Sequence, residues 1–400
     1  MPIGDKKGGF IRPGYDPLEV PNEPTSVAVS GGDSSLDVSF TAPVNTGGGA
    51  VTGYQATTTT GASVTGASSP VTITGLTNGV SYDVRVWALN AYGPGPFGTG
   101  SGTPALQRGL FLGGNDSGGN TNRIQYISIP STGNATDFGD LTVSRRELGA
   151  VSSSTRACAI AGAAATGSNV IDYVTVASTG NATDFGDVSQ SSLQTSAASN
   201  GTRAVIALGY GDPTPSSNTN IIEYFTIAST GNASDFGDLT NTQRSSQCLA
   251  SSTRWVRCGG FTNIMDYVTI ASTGNAVDFG DLAIYTNPYY LSSGNITSGT
   301  RGIIAPVTNG GTQTNVIQYI TIASTGNATD FGDLVLARTN SAGACSSTTR
   351  GIVGGGGSSG RTNAIDYFTI ASTGNATDFG DLLEANQYMS GASNCHGGLQ

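Results

Sequence analysis

Residues 323–334 read ASTGNATDFGDL, and this phrase determines how the rest of the chain is interpreted. It occurs six times with small changes in the last three quarters of the sequence. Its glycines are Gly133, Gly180, Gly231, Gly274, Gly326 and Gly374, with spacings of 47, 51, 43, 52 and 48 residues. A period near 50 residues is typical of four-stranded β-propeller blades, which bury their faces only by packing on one another. Six copies therefore predict six blades.

The composition favours strands and turns over helices. Glycine accounts for 59 of the 400 residues, and charged residues make up only 11%. Hydrophobic residues reach 37% and recur at regular places, which argues against disorder. Since no segment has sustained helical periodicity, the predicted fold class is all-β.

The charge and the apolar runs exclude several function classes. A formal net charge of −10 disfavours contact with nucleic acid phosphates, which requires clustered Lys and Arg. No run of about 18 apolar residues is present to insert into a membrane. Residues 1–20 lack the apolar core of a signal peptide, so export by a visible signal is not expected.

Each repeat unit has the same internal order, which predicts four strands, a to d. Strand c carries a Tyr and strand d a Phe, and these lie 12 residues apart in every unit. The b–c and d–a connections vary in length, and alternating strand directions bring both to one face. Recognition is predicted on that variable face. The Tyr residues are Tyr126, Tyr173, Tyr224, Tyr267, Tyr319 and Tyr367, and the Phe residues are Phe138, Phe185, Phe236, Phe279, Phe331 and Phe379.

The two ends of the repeat array predict how it closes. The first unit begins at Gln107–Arg108 with strand b, whereas the last residues, YMSGASNCHGGLQ, match a strand a. The C-terminal strand is therefore predicted to complete the first blade, which removes free sheet edges. In this alignment His396 takes the place that an Arg holds in other units, and we expect it to be a packing or turn residue.

Two variable loops are candidate ligand-binding sites. The richest lies between blades four and five, and GYGDPTPSSNTN provides the second. Exposed tyrosines suit stacking on sugars or docking on a protein, and a long loop that packs its own aromatics is an equal alternative. The candidate residues are Tyr285, Asn287, Tyr289, Tyr290, Tyr210 and Asp212.

No catalytic or metal-binding constellation is visible. A single His excludes a serine triad and a His-based metal centre, and the repeated Asp-Phe-Gly-Asp copies are predicted to bond turn amides. Five cysteines without a CxxC pair make zinc improbable. Cys248 and Cys258 could face each other across a hairpin. We favour the alternative that all five cysteines are buried thiols. Neither a cofactor nor enzymatic activity is expected.

Residues 21–104 resemble a fibronectin type III domain. Alternating strands such as SSLDVSF and VSYDVRVWALN carry the resemblance, together with Leu36, Val38 and Val84. Tyr82 matches the family's tyrosine corner, whose hydroxyl would bond back to the turn at residues 76–79. Phe40 stands where the family usually has Trp. The resemblance implies a spacer or binding module more often than a catalyst.

Residues 105–400 resemble kelch repeats. Small inner strands precede apolar strands ending in Gly, as in RACAIAG and RGIVGGG, followed by the strand with Tyr and a turn before the second aromatic. The strict Gly-Gly is present in only some units, and Phe stands in place of Trp. The resemblance implies a kelch-like propeller.

The whole arrangement resembles virion structural proteins of tailed phages, especially those of cyanobacteria. It implies localisation in a virion assembled in the host cytoplasm and a homo-oligomer on the particle. Residues 1–20, with Phe10, Ile11 and Tyr15, are predicted to form an arm that, with the fibronectin module, contacts other virion proteins. The propeller would contact a host surface glycan or protein as part of a tail fibre or adhesin. A capsid or tail decoration protein without a receptor is the alternative.

Overall fold

The structure is a computed structural model that describes residues 19–211, 217–260, 262–283, 293–306, 313–338, 342–357 and 360–399. The chain divides into an N-terminal region ending at Leu106 and a repeat region beginning at Gln107. Among the described residues, strands form every regular element except a 3-10 turn at Gly397–Leu399. The all-β prediction is confirmed.

The N-terminal region is a sandwich of two antiparallel sheets. One sheet has the strand order β1-β2-β5 and the other β4-β3-β6-β7. Alternate residues of β2 and β6 point into a common core, which includes the fully buried Leu36, Val38 and Val84. The strands are β1 (Thr25–Gly32), β2 (Ser35–Thr41), β3 (Gly53–Thr58), β4 (Ser63–Gly66), β5 (Val71–Thr74), β6 (Tyr82–Asn90) and β7 (Gly93–Gly102).

Two aromatic side chains occupy the places that the sequence predicts. The Tyr82 hydroxyl accepts a hydrogen bond of 3.1 Å from the Thr77 amide, so the tyrosine corner is present. Phe40 is buried and packs on Tyr54 with 4.6 Å between ring centroids. Phe therefore fills the core position at which the family usually has Trp.

The repeat region consists of short antiparallel strands with the same order in successive units. The strands are β8 (Arg108–Leu112), β9 (Asn115–Asp116), β10 (Gly119–Asn120), β11 (Arg123–Ser128), β12 (Thr136–Asp140), β13 (Gly149–Ser152), β14 (Arg156–Ala163), β15 (Gly167–Thr175), β16 (Thr183–Leu193), β17 (Ser196–Ser199), β18 (Arg203–Ala207), β19 (Tyr210–Gly211), β20 (Thr219–Thr226), β21 (Ser234–Gln243), β22 (Gln247–Ala250), β23 (Arg254–Cys258), β24 (Ile264–Thr269), β25 (Val277–Asp281), β26 (Ser293–Gly294), β27 (Arg301–Ile304), β28 (Thr314–Thr321), β29 (Thr329–Arg338), β30 (Gly343–Ser346), β31 (Arg350–Gly354), β32 (Thr362–Thr369), β33 (Thr377–Asn386) and β34 (Ser390–Ser393).

These strands form six units, numbered along the chain by their strand b. Unit two is β13-β14-β15-β16, unit three β17-β18-β20-β21, unit four β22-β23-β24-β25 and unit six β30-β31-β32-β33. Unit five departs from the predicted order, because no regular strand a adjoins β27-β28-β29 among the described residues. A single bridge between Thr297 and Gly302 replaces it, while β26 pairs in parallel with β30 and β34.

Unit one takes its inner strand from the end of the chain. β34 pairs antiparallel with β8, so that Ser393 opposes Gly109 as Ser152 opposes Ala157 in unit two. The Arg before Gly109 is Arg108, which therefore occupies the arginine position of unit one. The predicted equivalence of His396 with that position is wrong, because His396 lies beyond the end of β34.

Three hydrogen bonds recur at the junction between neighbouring units. Between units five and six, the Gly374 and Ala376 amides donate to the carbonyls of Phe331 and Asp333 at 2.8 and 2.7 Å. The Asp333 amide donates to Asn375 Oδ1 at 3.1 Å. The glycine-to-phenylalanine bonds are Gly180 to Phe138, Gly231 to Phe185, Gly274 to Phe236, Gly326 to Phe279, Gly374 to Phe331 and Gly133 to Phe379. The last bond links unit six to unit one.

The repeated asparagine, not the repeated aspartate, supplies the side-chain acceptor at these junctions. The equivalent bonds run from Asp140 to Asn181, Asp187 to Asn232, Asp238 to Asn275, Asp281 to Asn327 and Asp381 to Asn134. The aspartates take part in these junction bonds through their backbone amides, and the bonding of turn amides by their side chains stays a prediction. The asparagine of the repeat phrase ASTGNATDFGDL therefore joins one unit to the next.

Six arginines form a second cycle of contacts. Each guanidinium lies 4.3–4.6 Å from the ring centroid of the Tyr in its own unit, as a cation–π contact. Each also donates to a backbone carbonyl of the next unit. These bonds are Arg108 to Val176, Arg156 to Ile227, Arg203 to Ile270, Arg254 to Ile322, Arg301 to Ile370 and Arg350 to Ile129.

Small residues allow the inner strands to pack closely. All four residues of each of β13, β17 and β34 are buried. Ser152 and Ser199 donate their hydroxyls to the carbonyls of Ser393 and Ser152, both at 2.7 Å.

His396 lies beside these strands at 2% exposure, where its Nδ1 accepts from the Gly398 amide at 3.1 Å. The imidazole is therefore a packing residue.

Candidate functional site

The predicted ligand-binding residues are only partly within the described chain. Tyr210 is half-buried in β19, which pairs with the end of β16. Its ring centroid lies 5.1 Å from the guanidinium carbon of Arg244. Residues outside the described part are Tyr285, Asn287, Tyr289, Tyr290, Asp212, Phe10, Ile11 and Tyr15.

Arg244 belongs to a group of polar side chains at the d–a turns, which we call the turn cluster. Its members come from the segments that lead into the inner strands of units one to four, with one further Arg from unit six. They are Arg146, Glu147, Gln194, Arg244, Ser245, Arg361 and Tyr388. Sequence reasoning identified the face on which they lie but none of these residues.

The backbone of the turn cluster repeats an unusual conformation. Glu147, Gln194, Ser245 and Tyr388 each stand two residues before an inner strand, with φ of 59°, 59°, 58° and 59°. This left-handed conformation costs a non-glycine residue about 1–2 kcal/mol. Hydrogen bonds connect the turns, since the Glu147 amide donates to Tyr388 O at 2.7 Å and the Ser245 amide to Gln194 O at 3.3 Å. These bonds link the four turns in two pairs.

Glu147 is the buried carboxylate of the turn cluster. It is 8% exposed, and Oε1 lies 3.5 Å from Nε of Arg146. Burial raises the pKa of Glu147, while the charge of Arg146, a hydrogen bond from Gln194 and the charge of Arg244 act in the opposite direction. A carboxyl in this position is suited to accept hydrogen bonds from a hydroxyl-bearing ligand.

Three guanidiniums surround this carboxylate and the neighbouring Tyr388. The Arg146 side chain is 40% exposed and its guanidinium carbon lies 5.6 Å from the Tyr388 ring centroid. Burial and the charge of Glu147 raise the pKa of Tyr388, whereas Arg146 and Arg361 lower it. Three arginines and one glutamate give the described cluster a positive charge, in a chain whose formal net charge is −10.

One hydroxyl of the turn cluster is buried without a hydrogen-bond partner. Ser245 is 6% exposed, and its Oγ has no hydrogen-bond partner among the described residues. A buried polar atom without a partner costs about 1–3 kcal/mol. A buried polar atom without a partner beside the half-buried Arg244 is consistent with a site that is completed by a ligand.

The other buried charges have structural roles. Arg145 pairs with Asp172 and Arg338 with Asp366, both at 2.8 Å, and Arg257 pairs with Asp266. The acids precede the Tyr of strand c, and the equivalent residues of the remaining units are Gln125, Glu223 and Gln318. In the sequence these six buried residues can be recognised as an acid or amide inside an otherwise apolar strand.

Several of these buried groups accept a hydrogen bond from the preceding unit. The donors are backbone amides, with Thr142 bonding Asp172, Ser189 bonding Glu223, Ala283 bonding Gln318, Val335 bonding Asp366 and Leu383 bonding Gln125. The bond from Leu383 to Gln125, at 2.7 Å, again connects unit six with unit one. These side chains therefore serve the contacts between units.

The cysteines are free and unsuited to nucleophilic chemistry. All are buried except Cys395, which is half-buried. Cys248 opposes Arg257, and Cys258 opposes Gln247, so the two thiols do not face each other across the hairpin as a register pair. Burial raises the pKa of Cys158 and Cys248 to about 12, far from the range of a reactive thiolate.

The described part of the chain shows neither a metal-binding group of acidic, His and Cys side chains nor a membrane-spanning helix. No group of three or more His, Cys, Asp or Glu side chains there is arranged to hold a metal ion. No helix there has the length and apolarity needed to cross a bilayer.

Comparison with known proteins supports one family assignment. The model of the fibronectin type III domain matches residues 22–101, the sandwich that carries the Tyr82 corner. The N-terminal region therefore contains a fibronectin type III domain. No curated protein matches the chain at a significant level.

Proposed function

We propose that the repeat region is a six-bladed, kelch-like β-propeller closed by the C-terminal strand. The cyclic contacts support this proposal, because each kind returns from unit six to unit one. Gly133 bonds Phe379, Arg350 bonds Ile129, and β34 pairs with β8. In a propeller of this kind the six units stack around a common axis, with the small inner strands nearest to it.

We further propose that the chain is a structural protein of a tailed-phage virion, in a tail fibre or tail-associated adhesin that contacts the host surface. The turn cluster is the observation that carries this proposal. It gathers Arg146, Glu147 and Tyr388 on strained turns at one face. Strained backbone is retained where it positions functional groups.

The remaining regions have anchoring roles in this proposal. In this proposal residues 1–20 and the fibronectin type III domain bind other virion proteins, in a homo-oligomer on the particle. Particle assembly in the host cytoplasm requires no export. We propose no enzymatic role; in the turn cluster Glu147 is the only buried carboxylate, whereas glycoside hydrolysis requires two.

Two measurements test the adhesin proposal. Electron microscopy of particles labelled with an antibody against the repeat region should place the label at the tail. Fluorescently labelled full-length chain should adsorb to host cells, and a variant with Arg146 and Arg244 both replaced by Gln should adsorb less. Label confined to the capsid, with no adsorption of the wild-type chain, would favour the alternative, a decoration protein without a receptor. The fibronectin type III domain is compatible with either role.

A further inference from the structure

The outer face of the sheet β4-β3-β6-β7 in the fibronectin type III domain carries an ordered set of side chains. Along β6 the buried Val84 and Val86 alternate with residues that lie on the outer face. β7 pairs antiparallel with β6 and places a partner opposite each of them. One pair contains an acid, the next a base, and the third two aromatic rings. From β6 to β7, the pairs are Asp83 with Ser101, Arg85 with Thr99 and Trp87 with Phe97.

A depression in the surface of the domain lies beside these pairs. Its volume is about 410 Å³, within the range of sites for small ligands, roughly 300–1,000 Å³. The aromatic wall is accessible, since Phe97 is 40% exposed. The polar and aromatic side chains that line the depression are Thr59, Asp83, Arg85, Phe97, Thr99 and Ser101.

The two charged side chains of the depression are open to a ligand. Among the described residues, neither Asp83 nor Arg85 has a side-chain hydrogen bond or an ion-pair partner. The Arg85 guanidinium carbon lies 4.9 Å from the centroid of the Phe97 ring, as a cation–π contact. Stacking of this kind uses the flat face of the guanidinium, whereas its N–H groups lie in the plane. The donors of Arg85 therefore remain free while the ring holds the group in place.

A ligand in this depression meets an acceptor beside a donor. The Asp83 carboxylate only accepts hydrogen bonds, and the Arg85 guanidinium only donates them. An anion on Arg85 would be repelled by Asp83, and a cation on Asp83 would be repelled by Arg85. Neighbouring hydroxyls of a sugar donate and accept at once, so they satisfy both side chains without carrying a net charge.

We propose that this depression binds a neutral saccharide, with hydroxyls on Asp83 and Arg85 and the C–H face of the sugar on Phe97. The hydroxyls of Thr99 and Ser101 line the same depression and extend the hydrogen bonding. Exposed aromatic rings offer the flat apolar surface that such C–H groups contact. The saccharide site is a further activity beyond the proposed function, which gives this domain an anchoring role. The second sheet, β1-β2-β5, stays open to other virion proteins.

Regular strands hold the proposed site in a fixed geometry. The Trp87 and Phe97 rings pack with 5.5 Å between centroids and 60° between planes. Phe97 is thus supported by Trp87 and contacts Arg85 as well. Side chains on paired strands are positioned more accurately than side chains on loops. Groups that are held in this way lose little conformational entropy when a ligand binds.

The test uses the full-length chain and the methyl glycosides of glucose, galactose and mannose in saturation-transfer NMR titrations, with glucuronic acid and glucosamine as charged probes. At least one methyl glycoside should bind, and more tightly than either charged probe. Phe97→Ala, Asp83→Ala and Arg85→Ala should each weaken that binding about tenfold, since each removes a direct contact. Tyr92→Ala and Glu23→Ala, at exposed positions of the same domain, are the matched controls and should leave binding unchanged.

Several results would overturn the inference. Absence of binding by all three methyl glycosides would do so, as would tighter binding of a charged probe. Equal weakening in the site and control variants, with circular dichroism showing that all are folded, would place the sugar elsewhere. A wild-type dimer in sedimentation that Phe97→Ala dissociates, without glycoside binding, would assign the face to a second copy. The adhesin proposal is tested separately, because adsorption to host cells through the turn cluster does not require Phe97.

Discussion

Two glycines of the same repeat phrase should respond very differently to replacement by alanine. Gly326 and Gly332 belong to unit five and have φ of +155° and +146°, so an alanine is strained at either position. A Cβ built on Gly326 has no heavy atom within 4 Å, whereas one on Gly332 lies 2.4 Å from the Gly374 carbonyl oxygen of unit six. The pair therefore separates backbone strain from the contact between units.

The magnitude follows from the bonds at that junction. Backbone strain of this kind costs about 1–3 kcal/mol, and both variants share it. Gly332→Ala must also move the two units apart, which weakens the bonds at 2.8, 2.7 and 3.1 Å between Phe331 or Asp333 and unit six. Three hydrogen bonds at about 1 kcal/mol each give an additional loss of about 3 kcal/mol.

The assay is urea unfolding of the full chain, with Trp255 as the reporter. The chain has two tryptophans, so Trp87→Phe in every variant leaves the buried Trp255 of β23 as the only one. Gly332→Ala should unfold at clearly lower urea concentration than Gly326→Ala. Equal destabilisation of the two variants would refute the reasoning, since the close approach between units would then contribute nothing beyond the strain.

Further predictions concern single buried groups. Tyr82→Phe should lower the stability of the fibronectin type III domain by about 1 kcal/mol in thermal unfolding, because a turn amide loses its acceptor; no change would mean that water replaces the hydroxyl. Arg338→Met should cost about 3–5 kcal/mol, since Asp366 is left buried without its cation, and a second change of Asp366 to Leu should recover part of the loss; failure of the double variant to recover any would contradict this. Burial raises the pKa of Glu223, so its ionised form opposes folding, and Glu223→Gln should increase stability at pH 7 but not at pH 3; a loss at pH 7 would show that the charge is needed. Burial lowers the pKa of His396 to about 4, from about 6.5 in the unfolded chain, so stability present above about pH 6.5 should be lost as pH falls to 4, by about 3 kcal/mol. His396→Gln should lack this dependence, and an unchanged pH profile in that variant would exclude His396 as its source.

Much of the strand order could be predicted because it depends on local, repeated signals. The fixed distance from Tyr319 to Phe331 and its equivalents defines the c–d hairpin. The repeat order also predicts that residues 390–393 pair with β8. The first unit begins with strand b and lacks a strand a, whereas the C-terminal residues form a strand a that has no unit of its own. The alternation in β6 and the position of Tyr82 identify the fibronectin type III domain.

The contacts between units could not be predicted from the phrase itself. Nothing in the sequence around Asn327 indicates a partner in another unit, yet its side chain accepts a hydrogen bond from the Asp281 amide of the preceding unit. The turn cluster was missed for a similar reason. Arg146 and Glu147 are adjacent, but Tyr388 stands 241 residues after Glu147 and shares no motif with them, and only the packing of the inner strands brings the three together.

The pairing of β34 with β8 has a consequence for synthesis. Ser393 opposes Gly109, so 284 residues separate two chain positions that share a sheet. At about 5–20 residues per second, ribosomal synthesis takes roughly a quarter of a minute to a minute to cover that distance. Throughout that interval β8 has an unpaired edge, which attracts other strands. On a polysome, where many nascent chains lie close together, β34 of one copy competes with β34 of another for the waiting edge of β8.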